Sequence, residues 1–372
     1  MTSPSTSVAF DKLGDLRNKH HDNELAQNYV LTKQLPVKYN PTIAERAGEH
    51  RFDARETAAL DAVIVVARHL LAMVTTPHRQ IGDQNPLACM IWADLTDPRA
   101  FEQQHQARYA ILSGFREKYK DRLISFYNLI ENKEMWDTFW SIPPFQLWHP
   151  VVMAKREGEM EWIKAEIESQ RNLTKDALVQ YRGHGDLSDH INAGFGTFVD
   201  DESGVLHHWQ SNDPIVIRVN YRHEAEGIAP KTWNDLQEIQ VRPHRLFDVR
   251  GDGGRPCLEY DTTGGQPKRY TLLAVVRVGG HKAENDCIRL YGVDSEYVDL
   301  PKEASHLSGA SWRLGDKGDR YLLYYILAPT RLVGGNDQEI VYRQPHAKEK
   351  RSTAKAAAKL KPGQAAPVTE GA

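Results

Sequence analysis

Cys89 has the best setting for thiol chemistry among the three cysteines of this 372-residue chain, the others being Cys257 and Cys287. A cysteine attacks as its thiolate, and the start of a helix lowers the thiol pKa. LACMIWADL, in which Cys89 falls, reads as a short helix opening after Asn85-Pro86. Gln84 and Asn85 just upstream could supply a side-chain amide to a developing oxyanion. The base would be His281, in RVGGHKAENDCIRLY at 277–291, six positions before Cys287. Against this stands the apolar flank of Ala88, Met90, Ile91 and Trp92, which is the setting of an inert core cysteine. Cys287 sits inside a strand-like run, where no helix start assists it.

The run HGDLSDH offers a second chemistry. His184, Asp186, Asp189 and His190 carry imidazole and carboxylate groups that could share a divalent metal. No downstream ligand set accompanies them, so the run reads as a turn with an aspartate cap and exposed histidines. No metal and no cofactor are expected. The cysteines form no CxxC pair and no zinc spacing, and a sparse, odd set fits a reducing compartment: cytoplasm or nucleus.

Two kinds of element must position these groups. Residues 1–21 are polar and read as flexible. A helical region follows over 22–183, starting with NELAQNYVLTKQL, which stops at Pro36. Asp53 is an N-cap for ARETAALDAVIVVARHLLAMV, and Asp97-Pro98 opens a further helix. Phe126, Tyr127, Trp136, Phe139, Trp140, Phe145 and Trp148 crowd together and read as packed core. A charged helix is expected over 157–171. From 184 to 343 the chain turns to short runs rich in β-branched and aromatic residues, without helices between them, which predicts a mainly antiparallel sheet. YTLLAVVRV and DCIRLYG should pair across GGHKAEN, with Leu272, Ala274 and Val276 on one face and Leu273, Val275 and Arg277 on the other. The fold class is therefore α+β, with a low-complexity basic tail over 344–372 that is expected to be disordered.

PIVIRVNYR, YTLLAVVRV, SWRL and RYLLYYIL follow one another in an order similar to the C-terminal half of ubiquitin-specific proteases. Pro214 to Arg222, Tyr270 to Val276, Trp312 to Leu314 and Tyr321 to Tyr325 hold the corresponding places. The resemblance implies a palm-like sheet and a protein partner, ubiquitin or a ubiquitin-like protein. It also implies a histidine opening the strand after the AVV hairpin. In the register set by CIRLY, Asp286 stands there, and His281 lies earlier, in the loop. The family's nucleophile box and its paired CxxC zinc ligands are absent. The expected function is that of a pseudoenzyme: a non-catalytic interaction protein on a degenerate scaffold. The alternatives are a thiol hydrolase using Cys89 with His281, and nucleic-acid binding through the tail.

Charge limits that last class. Beyond residue 343 the chain has six Lys/Arg against two Glu, leaving −7 on residues 1–343 out of −3 for the whole. An acidic body lacks the clustered cations that phosphate binding needs. No apolar run approaches the roughly 18 residues of a membrane span. The longest, VIVVARHLLAMV at 63–74, carries Arg68 and His69 and reads as a buried helix. The first residues lack a basic stretch followed by an apolar one, so neither secretion nor membrane association is expected.

Overall fold

The computed structural model describes residues 13–16, 52–74, 85–95, 101–156, 158–159, 161–165, 169–224, 227–250, 256–279, 285–300, 304–309, 312–316 and 319–328. Contacts divide the chain into Met1–Pro329 and Thr330–Ala372, and all described residues belong to the first unit. The helix expected from residue 22, Gln84, the Asp97-Pro98 start, His281 and the tail over 344–372 lie outside the described residues.

Helix α1 (Ala54–Leu71) begins as the sequence predicts. Asp53 accepts from the backbone N–H of Arg55 and Glu56, and Glu56 reaches back to the Asp53 N–H at 2.9 Å. This reciprocal cap satisfies donors that a helix start leaves open. From Thr57 to Leu71 every residue of α1 is buried, so the helix is surrounded by protein on all sides. Its polar residues are spent on neighbours. Arg108 meets Asp61 at 3.0 Å, and His69 Nε2 donates to the Tyr291 carbonyl at 2.9 Å. Around α1 lie α2 (Pro86–Trp92), α3 (Phe101–Lys118), α4 (Phe126–Ile130) and α5 (Lys133–Thr138), then a 3-10 turn at Pro143–Phe145.

The next part of the chain builds two sheets. Strands β1 (Met153–Arg156), β2 (Ile163–Lys164), β4 (Gly196–Val199) and β5 (Val205–Trp209) form a small antiparallel sheet ordered β2-β1-β5-β4. The charged helix expected over 157–171 is corrected here: Ile163–Lys164 is a strand paired with Met153 and Ala154, and α6 (Gln170–Asp176) starts only at Gln170. Pairing with β1 overrides the helix propensity of the Glu- and Lys-rich stretch. β3 (Leu178–Tyr181) leaves α6 directly, and α7 (Leu187–Asn192) precedes β4.

The large sheet runs β12 (Tyr297–Val298), β11 (Cys287–Tyr291), β10 (Lys268–Val278), β13 (Arg320–Leu327), β6 (Val216–Arg222), β3. β7 (Glu238–Val241), which follows α8 (Trp233–Leu236), pairs with the first half of β10. β8 (Leu246–Arg250) and β9 (Pro256–Tyr260) make a separate ribbon, and α9 (Ser305–Ser308) precedes β13. Among the described strands of the large sheet, only β3 and β6 pair in parallel. This is an α+β fold.

β10 and β11 pair antiparallel across the loop, as expected, with Arg277 opposite Cys287. The face assignment of β10 is corrected. A register shift between Leu272 and Ala274 against β13 breaks the alternation. Leu273, Ala274 and Val276 therefore join the core shared with α1, while Tyr270, Leu272 and Val275 join a second core with Leu187, Ile191 and Leu236. A bulge of this kind moves everything beyond it to the other face. The sheet is buried on both sides: Leu272, Leu273 and Ala274 are each 0% exposed.

Candidate functional site

The β10–β11 hairpin ends at Asp286, the residue standing where the family resemblance places a histidine. Asp286 is buried, and both of its oxygens accept backbone bonds. Oδ1 takes the Gly279 N–H and Oδ2 the Phe126 N–H, each at 2.6 Å. Burial pushes the carboxyl pKa up, and these two donors pull it down, with burial the larger. Phe126 is the first residue of α4, with Ser125 as its cap, and it is 0% exposed. Ser125 accepts from Asn128 through Oγ at 3.2 Å, so its hydroxyl oxygen serves the cap.

Cys89 belongs to a different helix start. Asn85 caps α2 through Oδ1, which accepts from Leu87 N–H at 3.0 Å. Its Nδ2 donates to Thr138 Oγ1 at 2.9 Å and to Met135 Sδ at 3.3 Å. The amide that could serve an oxyanion is committed to α5. Arg68 of α1 closes the other end of α2, donating to the carbonyls of Ile91 (2.7 Å), Met90 (3.3 Å) and Ala93 (2.6 Å). Cys89 is half-buried between these fixed ends.

The four residues of HGDLSDH serve local structure. Asp186 caps α7 by accepting from Ser188 and Asp189 N–H. His190 Nε2 donates to the Gln180 carbonyl at 2.9 Å, tying α7 to β3, and His184 and Asp189 are exposed. Among the described residues, no group of three or more His, Cys, Asp or Glu is arranged to hold a metal.

A groove of about 730 Å³ opens between α4–α5 on one side and α6, β3 and α7 on the other. Of the aromatic cluster read as core, Phe126, Phe139, Trp140 and Phe145 are indeed buried. Tyr127, Trp136 and Trp148 are only half-buried and line the groove. Beneath it, Glu131 pairs with Arg218 at 2.6 Å, both at 1% exposure or less, and accepts from Trp136 Nε1 at 2.9 Å. Arg218 also donates to the Thr174 carbonyl and lies 4.3 Å from the Trp140 ring. A charge buried this deeply is held in place by such partners, although its Nε has none among the described residues. Sequence reading missed the groove, because its walls come from four separated segments.

Set against known proteins, the chain matches no family and no curated protein. Among solved structures it is similar to a chain of the SAGA Ubp8/Sgf11/Sus1/Sgf73 DUB module, at 9% identity and a TM-score of 0.31, covering 81% of this chain and 69% of that one. It is also similar to the Saccharomyces cerevisiae PAN2 pseudoubiquitin-hydrolase, at 10% identity and a TM-score of 0.28, covering 88% of this chain and 96% of that one.

Proposed function

We propose that the chain is a non-catalytic protein-binding module, acting inside the cell, whose partner is ubiquitin or a ubiquitin-like protein. The observation that carries this reading is the Asp286 carboxylate. At the position where the sequence resemblance calls for a general base, both oxygens are held by backbone N–H groups, those of Phe126 and Gly279. A general base must be free to accept a proton from its nucleophile, and here both oxygens already accept backbone bonds. The commitment of Asn85 to Thr138 and Met135 supports the same reading, since it takes up one of the two amides that could serve an oxyanion at Cys89.

The test pairs reactivity with binding. A ubiquitin bearing a C-terminal electrophile should leave the full chain unlabelled, while calorimetry with unmodified ubiquitin and ubiquitin-like proteins should detect reversible association. Labelling that disappears in Cys89→Ala would overturn the non-catalytic part. Failure of every ubiquitin-like protein to bind would overturn the partner.

A further inference from the structure

We propose that the groove between α4–α5 and β3 binds an extended acidic peptide segment, with the Trp148 indole as its apolar anchor. The inference deepens the protein-binding reading by placing a site and a partner chemistry, and rests on it only in taking the ligand to be a protein.

The trough is longer than its main chamber. A second cavity of about 300 Å³ shares Trp148, Asp176 and Gly194 with the first, and continues to Phe198 and Trp209 on the small sheet. The two chambers meet at the Trp148 ring. That ring lies against Gly194, where a Cβ would come within 2.7 Å of Cη2, so a residue without a side chain lets the indole lie flat in the wall. Beyond it Phe198 is 41% exposed. An elongated channel in which aromatic rings alternate with polar and charged groups suits a chain in extended conformation, which places alternate side chains into it.

Its charge selects among such chains. Glu131 contributes no net negative charge, because Arg218 neutralises it. His190 is turned to the backbone, its Nε2 donating to the Gln180 carbonyl. The lining then holds Arg122 and Lys175, both exposed, against the single carboxylate of Asp176. Arg320 adds a cation behind the aromatic wall, 3.4 Å from the Tyr127 ring centroid. The trough is therefore positive although residues 1–343 carry −7. Acidic side chains entering it gain opposite charges at the rim, and basic ones meet like charges. A nucleic-acid strand is the lesser fit, because two exposed cations accompanied by a carboxylate do not make the row of positive charge that a phosphate backbone needs.

Fluorescence anisotropy on the full chain tests this with three labelled probes: a peptide of alternating Glu and Leu, one of alternating Lys and Leu, and oligothymidylate. The Glu–Leu peptide should bind saturably and weaken with added salt, and the Lys–Leu peptide should not bind. The double charge reversal Arg122→Glu/Lys175→Glu, at exposed positions and with the melting temperature followed alongside, should weaken the Glu–Leu peptide by about tenfold or more and admit the Lys–Leu peptide. Trp148→Ala should weaken it without altering its salt dependence. The proposal is overturned if the Glu–Leu peptide does not bind, if the charge reversal leaves its affinity unchanged, or if oligothymidylate binds more tightly and displaces it. Peptide binding that survives while no ubiquitin-like protein binds would sink the partner named above and leave the groove assignment standing.

Discussion

The Phe126 N–H and the Asp286 Oδ2 meet at 2.6 Å across 160 residues of sequence. The same carboxylate holds the Gly279 N–H, so one buried side chain fastens the end of the β10–β11 hairpin to the start of α4. α4 in turn carries Glu131 at its C-terminal end, the partner of Arg218 on β6. Two buried carboxylates, one at each end of a five-residue helix, thus join the helical layer to the sheet. The arrangement accounts for a short helix that could not persist alone, since isolated helices of this length are unstable in water.

Asp286→Ala should therefore destabilise the fold by about 2–4 kcal/mol, because the buried Phe126 N–H and the half-buried Gly279 N–H lose their acceptor. Asp286→Asn keeps one acceptor oxygen and should cost less. Urea unfolding of the three proteins gives the ranking. An alanine variant as stable as the parent would mean that the carboxylate is not the fastening.

Removing Arg68 should release α2. Arg68→Met leaves three carbonyls without their donor and removes the positive partner of Asp94, a loss of about 3–5 kcal/mol. The local readout is Cys89: its alkylation rate by a small thiol reagent should rise more steeply than global stability falls. Equal alkylation rates in parent and variant would show that α2 is held from elsewhere.

Acid should weaken the protein partly through His105. Burial, with Arg108 adding to it, pushes its pKa down from 6.5 to about 4. Between those values the unfolded chain binds the proton and the folded chain does not, so stability is lost as pH falls through this window. Melting curves near pH 7 and near pH 5 should show a smaller drop for His105→Gln than for the parent. Parallel drops would remove His105 from the acid response.

What the sequence made legible follows from how local each signal is. The Asp53 cap, the α2 start at Asn85-Pro86 and the Asp186 cap are written within a few residues, and the structure bears each of them out. The antiparallel pairing of β10 with β11 is nearly as local. The Glu- and Lys-rich stretch around Ile163 misled, because its strand depends on β1 and β5, and β5 lies about forty residues onward. The candidate site was the least legible part. Asp286 could be placed by register, but its bond to Phe126 joins segments with no shared pattern. The groove depends on which aromatic rings the sheet happens to cover, and spacing alone does not tell Phe126 from Tyr127.

The bulge in β10 gives the sharpest test of the fold. Strict alternation would put Leu273 and Val275 on one face, whereas the shift between Leu272 and Ala274 separates them. Val275 instead lies opposite Leu323, and both belong to the core beneath α7 and α8. Truncating residues in contact gives non-additive losses of about 0.5–3 kcal/mol, while residues without shared partners add to within about 0.5 kcal/mol. Double-mutant cycles should therefore find Val275→Ala coupled to Leu323→Ala and additive with Leu273→Ala. Each single truncation removes a fully buried side chain, but valine loses little bulk, so unfolding stays two-state enough for the cycle to be read. Coupling between Leu273 and Val275, with none between Val275 and Leu323, would show an unbroken strand. Val275→Asp adds a check on burial: an unpaired carboxylate at a site 1% exposed should cost several kcal/mol, about 3–5. A mild effect there would mean that water reaches the face of the sheet that α7 and α8 cover.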